Sequence, residues 1–596
     1  MGKSETVELN DAMVASTSQS DNNQSKGGGG VAERSQWFVS PRLALLALIL
    51  APLVLYLPAI GGEFLWDDFD YISQSRTIRS PDGLWNIFFN PRSLPFPYGT
   101  QYYPLVYGSF WLEYRVWKLN PEGYHLANVL LHGLSAVLIY WLLQQLRVRG
   151  AWLCAVLFAI HPVHVESVAW IVERKNTLSL FLALLALRCY LPLAGLGDRS
   201  PPPLSRARTT ARYLGALLLF GASLLAKTVT CTLPAVILVL QYWKRGTLRW
   251  KDFGVMLPFF AIGLLAGLPT ITAEQHYVGA SGSDFDIPLL NRFLLAGSAI
   301  WFYAERLLAP WPLSFFYHRW TLDSHSTVQW TLLVAALVTP LALFLARKQI
   351  SRGPLAAVLI FGGVLFPALG FVNVFPMKFS WVADHFQYHA SVSLIALMGA
   401  GTSIAMHRLE TTTQRKSGTL LVPLCTIWLA ILGTLTWQRA HLFSSQELLW
   451  RDTLRHAPHA WIVHQNLAVL LSGKGNLDEA ETHARRSLEL HPDNPAVYHN
   501  LGSMAQARGN LSEAESHYRK AIELQHDLGP ALVNLGAVLL VQNRPGEAVT
   551  SFLQATQVLP REPKAWLGLS EAHRQLGKTE LADRLRIKAD RLAISP

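Results

Sequence analysis

Three short polar clusters interrupt the apolar runs of this chain, and each holds residue types able to do chemistry. The first is Trp66-Asp67-Asp68-Phe69-Asp70-Tyr71, a few residues after the first long apolar run. Acidic residues beside hydrocarbon are costly unless they have a partner or a task. Adjacent carboxylates repel, so one can have a raised pKa, which suits a general base. The same acids would also cap a following helix, and the local sequence does not choose between the two roles. The second cluster is His161-Pro162-Val163-His164-Val165-Glu166, followed by Glu173-Arg174-Lys175-Asn176. Two cations at the mouth of a helix pair, Arg174 and Lys175, can grip a phosphate. Snorkelling to the membrane interface is the alternative for them, and zinc ligation the alternative for the histidines, although no third ligand is clearly spaced. The third cluster is Ala383-Asp384-His385-Phe386-Gln387-Tyr388. Tyr103-Pro104, His125, Asn128 and His132 are further candidates, though polar residues inside a helical bundle often only bond their neighbours.

The elements that must position these clusters are apolar helices. Of the 596 residues, 51% are hydrophobic and 15% charged, where a soluble chain has about a quarter charged. A spanning helix needs about 20 mostly apolar residues. Candidate spans run over 42–61, 124–146, 150–161, 176–195, 213–226, 230–243, 253–272, 292–310, 327–346, 354–372, 388–406 and 418–437, and 101–118 reads as an amphipathic interfacial segment. The run Leu43 to Ile60 lacks a small-residue cleavage site and reads as a retained span. Residues 1–36 are polar and rich in Ser, Gly and Asn, the composition of a disordered tail.

The formal net charge is +11, but the basic residues sit in short loops rather than one dense patch, which argues against nucleic-acid binding. The loops Arg147/Arg149, Arg199 to Arg212, Lys244 to Lys251, Arg347 to Arg352 and Arg408 to Lys416 are therefore expected in the cytoplasm. Loops 62–122, 161–175, 273–291 and 373–387, and everything after Trp437, then face the other side. The three polar clusters converge there, as a membrane-embedded active site requires. This assignment makes 292–320 re-entrant or interfacial, since a full span would place Arg347 to Arg352 outside. Cys154, Cys189, Cys231 and Cys425 have no disulfide or zinc spacing and read as buried thiols.

The C-terminal region repeats. Asn466, Asn500 and Asn534 recur every 34 residues, as do Leu467, Leu501, Leu535 and Leu569, and Ala480, Ala514, Ala548 and Ala582. That is the tetratricopeptide period. Gly475, Gly509 and Gly577 mark the turn between helices, with Asn543 in the third copy. The expected organisation is a tail over 1–36, a membrane domain over 37–440, a connecting helix over 441–460 and four repeats over 461–494, 495–528, 529–562 and 563–596. The fold class is all-α, a polytopic transmembrane bundle of about eleven spans followed by an α-solenoid.

The ordered series Trp66-Asp67-Asp68, Tyr124-His125 with Asn128 and His132, His161-Pro162 with His164 and Glu166, Arg174, and Ala383-Asp384 with Tyr388 resembles bacterial membrane tetratricopeptide proteins. It is also similar to the animal transmembrane tetratricopeptide O-mannosyltransferases, and the acidic pair to the signature of GT-C membrane glycosyltransferases. The resemblance runs from about residue 42 to the end. It implies a GT-C-like bundle and an inverting transfer of a mannose-like sugar from a polyprenyl phosphate to a protein hydroxyl, with the repeats docking the acceptor. Asp67 would be the general base or the acid that orients the acceptor, with Asp68 its support; Arg174, with Lys175 and His164, would meet the donor phosphate. His161, Glu166, Asp384 and Tyr388 are the other site candidates. The sequence departs from the family pattern at His385, where an Arg is common, and Asn176, where an acid is common. No metal ligand and no cofactor is assigned, and a divalent metal is left open. The active site and repeats would lie outside the cytoplasm, in the periplasm for a bacterial inner membrane. The rival reading is a non-catalytic scaffold whose repeats recruit envelope proteins.

Overall fold

The computed structural model describes residues 41–90, 93–94, 102–196, 205–413 and 418–594. The expected tail, and residues 199–204 and 414–416 of two basic loops, lie outside the described residues. The structure divides into two units, 1–46 and 47–596; α1 begins in the first, and everything after it concerns the second.

All regular elements among the described residues are helices. The first apolar run is broken into α1 (Pro41–Leu55) and α2 (Leu57–Ile60). Short helices α3 (Arg76–Arg79) and α4 (Gly83–Phe89) lead to α5 (Pro104–Trp117). Helix α6 (Pro121–Gln145) starts on an Asn120 cap, whose side chain accepts from the Glu122 amide, with Pro121 at the first helical position. Then follow α7 (Ala151–Ile160), α8 (Val165–Ala169), α9 (Arg174–Tyr190), α10 (Arg206–Ala226), α11 (Leu233–Arg245) and α12 (Trp250–Ala273). The bundle continues with α13 (Leu289–Leu308), α14 (Thr327–Ile350), α15 (Gly353–Leu365), α16 (Ser391–Thr413) and α17 (Gly418–Leu442).

Among the described residues six helices are long and apolar enough to cross a membrane, and α7 with α8, bent by 52°, makes a seventh if the pair is one span. The chain is a multi-pass membrane protein. Eleven spans would need shorter apolar helices to cross too. Helix α14 has no buried residue, and α12 exposes Leu257, Leu264, Leu265 and Leu268; such faces suit hydrocarbon, not water. Where the charge signal made 292–320 re-entrant or interfacial, the structure has α13 as one unbroken 20-residue helix packed along α14, and it is not among those six. Gly297 explains the fit: a Cβ there would come within 2.6 Å of the Leu333 backbone. Of the four cysteines, all free, only Cys154 is buried and the others are half-buried.

A connecting helix, α18 (Gln446–His456), leads to four antiparallel pairs. These are α19 and α20 (Trp461–Gly473, Leu477–Leu490), α21 and α22 (Pro495–Ala507, Leu511–Leu524), α23 and α24 (Gly529–Val541, Pro545–Val558), and α25 and α26 (Pro563–Gln575, Thr579–Ile594). The recurring alanines Ala480, Ala514, Ala548 and Ala582 are all fully buried. Gly475, Gly509, Asn543 and Gly577 all have positive φ, the left-handed conformation that ends the first helix of each pair. Each pair packs on the next, with ion pairs such as Arg508 to Asp478 and Arg544 to Glu515 crossing the seams.

Candidate active site

Asp67 and Asp68 follow the break between α2 and a single π-turn, Phe69–Ser73. Asp68 is fully buried and makes no cap bond to that turn. Its Oδ2 accepts from the Leu65 amide at 2.8 Å, and its Oδ1 from the Val172 amide at 2.9 Å. Asp68 therefore ties the acidic loop to the segment before α9. Burial pushes its carboxyl well above the ordinary carboxylate range, against those two amides. Asp67 is half-buried. Its charge acts on Asp68, on Lys175 and on the hydroxyl of Tyr107.

Arg174 and Lys175 are adjacent in sequence but have opposite situations. Arg174 is 1% exposed, and all five of its N–H donors have protein partners. Nε donates to Asn128, Nη1 to Ser109 and to Glu113 at 2.6 Å, and Nη2 to Glu113 and to the Tyr124 carbonyl. This is a structural hub joining α5, α6 and α9, with no donor left for a phosphate. Lys175 lies beside Asp67, over the Tyr71 ring, 3.2 Å from Glu173. Lys227 approaches the same Glu173 from the end of α10, at 3.3 Å. Two ammonium groups thus share one carboxylate, and one of them, Lys175, also interacts with Asp67. Lys227 and Glu173 were not among the site residues expected from sequence. The available signal was a lone cation ending the apolar run of α10.

The histidine cluster belongs elsewhere. His164 has Nδ1 2.8 Å from the Phe158 carbonyl and Nε2 2.9 Å from Ser391 Oγ. His161 bonds the Leu307 carbonyl, and Tyr388 the ring of His132. These groups hold α6, α7, α13 and α16 together, and both nitrogens of His164 are occupied, so it has none to offer a phosphate. Among the described residues no group of three or more His, Cys, Asp or Glu is arranged to hold a metal ion.

Glu166 lies 2.5 Å from Nδ1 of His385, the position where the family commonly has an Arg. Asn176 bridges the two polar groups by donating to Glu173 and to the His385 carbonyl. An acid at 176 would instead repel Glu173. Asp384, fully buried, accepts from the Tyr317 hydroxyl at 2.8 Å. Burial, aided by the Glu166 charge, pushes its carboxyl up to about 8. A carboxyl with a folded pKa above its unfolded value stabilises the fold most at low pH, and that stability is lost as pH rises from about 4 towards 8. Asp384→Asn should remove the pH dependence, worth at most about 1.4 kcal/mol per pH unit. The variant's melting temperature in detergent should therefore gain on the wild type at pH 8 and change little at pH 5. Equal shifts at both would show that Asp384 is ionised throughout.

An apolar cavity of about 210 Å³ opens between α6, α9, α11, α15 and α16. Leu142, Leu184, Leu233 and Ile360 line it, with Val229 and Thr230 at one side. These last two follow Lys227 directly in the turn between α10 and α11.

Residues 444–593 match the family model for the cilia and flagella-associated protein 70 middle TPR-like domain. The chain is 26% identical to the human protein O-mannosyl-transferase TMTC1, over 80% of this chain and 58% of that one. It is 31% identical to the mouse protein O-mannosyl-transferase TMTC2, over 46% of this chain and 34% of that one. The chain thus spans between a third and three fifths of the length of these curated relatives. Among solved structures, the crystal structure of MamA protein aligns with 25% of this chain and 80% of its own, at 18% identity and a TM-score of 0.23. The chain therefore has animal protein O-mannosyl-transferases among its homologues.

Proposed function

We propose that the chain is a membrane glycosyltransferase that moves a mannose-like sugar from a polyprenyl phosphate to a hydroxyl of an acceptor protein. The observation that carries this reading is the half-buried Asp67 whose charge acts on Lys175, which shares the Glu173 carboxylate with Lys227. Asp67 takes the proton of the acceptor hydroxyl as its oxygen attacks the anomeric carbon. The bond from that carbon to the phosphate oxygen breaks, and the polyprenyl phosphate leaves with the electron pair. Attack opposite the leaving group inverts the anomeric centre. Lys175 and Lys227 meet the charge that develops on the phosphate. Lys175 keeps the role expected of it, and Lys227 stands in for Arg174 and His164.

The apolar cavity beyond Lys227 supports a lipid-linked donor, since a phosphate held at the lysines leaves its hydrocarbon chain next to an apolar lining. The repeats dock the acceptor along the solenoid. The basic loops support a site and repeats outside the cytoplasm. The test is transfer by the purified full chain in lipid discs, across several polyprenyl-phosphate sugars and an acceptor protein. Transfer with an inverted anomeric centre is the expected result. Binding of the acceptor without transfer from any donor would favour the scaffold.

A further inference from the structure

The residue before Asp67 has an unusual backbone. Trp66 has φ of +42°, a left-handed conformation that a bulky residue adopts only when its surroundings impose it. Its indole stacks on Trp170 at 5.9 Å and 9°. The ring edges of Phe315 and Phe316 close two more sides. The remaining wall is Trp450, 5.7 Å away and nearly perpendicular at 79°. Trp450 is fully buried and belongs to α18, the helix that leads into the repeats.

The main chain repeats this connection. The Glu63 amide donates to the Ser444 carbonyl at 3.2 Å, and the Gln446 amide to Glu63 Oε1 at 2.7 Å. A Cβ on Gly62 would lie 2.9 Å from Ser444 Cα, so the two strands of chain touch backbone to backbone. Arg439 and Asp452 form an ion pair at 3.2 Å across the same corner. The acidic loop is thus built against α18 rather than on the membrane helices alone.

We infer that Trp450 is a positioning residue for the reaction: it holds Trp66 in its strained conformation and thereby aims Asp67. This rests on the reading of Asp67 as the base. The first helix beyond the membrane domain is then a wall of the active site, and the repeat domain is mechanically joined to the catalytic loop.

The test compares Trp450→Phe, which keeps an aromatic edge, with Trp450→Leu, which keeps apolar volume without the ring, in the full chain. Hydrogen exchange is read at the amides of Leu65, Asp68 and Phe69, whose bonds close the loop. Exchange in Trp450→Leu should quicken about tenfold there and stay unchanged in α6 and α16, with Trp450→Phe near wild type. With a short acceptor peptide, kcat of Trp450→Leu should fall about 10- to 100-fold at unchanged acceptor KM. Wild-type exchange in a folded Trp450→Leu would overturn the inference, as would faster exchange with an unchanged kcat. If the wild type transfers no sugar while the exchange result holds, the proposed function fails and the loop contact stands. If Trp450→Leu does not fold, a Trp450→Phe with kcat and exchange both at wild type still supports a need for the aromatic edge, and one with kcat reduced at unchanged exchange overturns it.

Discussion

Asp67→Asn should lower sugar transfer about 100- to 10,000-fold while the protein remains folded. Asparagine keeps the size of the side chain but cannot take a proton from the acceptor hydroxyl. The backbone contact of this residue survives, because the Tyr71 amide donates to the Asp67 carbonyl and not to its side chain. The neighbouring acid should behave differently. Both oxygens of Asp68 accept backbone N–H bonds, and asparagine has one acceptor oxygen. Asp68→Asn leaves a buried amide unpaired, at about 1–3 kcal/mol, so both stability and rate should drop. The measurement is the initial rate from a lipid-phosphate donor, with melting temperatures recorded for each variant. A wild-type rate in folded Asp67→Asn would remove this residue as the base and shift the weight to the scaffold reading.

Arg174→Met should destabilise the membrane domain by about 3–5 kcal/mol, because it leaves the Glu113 carboxylate without its partner. It also removes the donors to Asn128 and to the Tyr124 carbonyl, so three helices lose their common tie. Arg174→Lys should recover only part of this, since one ammonium cannot reproduce five donors in a planar fork. The double variant Arg174→Met, Glu113→Leu should melt much closer to wild type, because neither charge is then stranded. A donor-phosphate role gives the opposite pattern. Arg174→Lys would then melt normally and show only a raised donor KM. Melting temperature and donor KM, measured on the same preparations, separate the two.

The adjacent pairs show what was legible in the sequence. The acidic pair and the basic pair were both visible as functional candidates at the ends of apolar runs. The division of labour within each pair was not. Asp68 is fixed between two amides and Asp67 is left half-buried. Arg174 is locked into the bundle and Lys175 faces the acidic loop. The histidines were candidates by residue type, although no third ligand was clearly spaced, and their nitrogens meet the nearby Phe158 carbonyl and the distant Leu307 carbonyl and Ser391 hydroxyl. Lys227 and Trp450 lie some 50 and 380 residues from the groups they meet; a lone cation ending an apolar run marked the first without naming its partner, and no local pattern announced the second.

The helical membrane bundle and the solenoid, by contrast, could be read directly. Apolar run length is a property of a short segment and of the solvent it must match. The 34-residue period reports a unit that stacks on copies of itself, so Ala480, Ala514, Ala548 and Ala582 all reach the core, and the turns fall where Gly or Asn can take positive φ. Those features depend on residues within one element or one repeat. The active-site roles depend on what each side chain faces. Successive residues on a helix point about 100° apart, so Arg174 and Lys175 look towards different neighbours. Which neighbours stand there is set by the packing of segments far apart in the chain, and only the tertiary structure decides that.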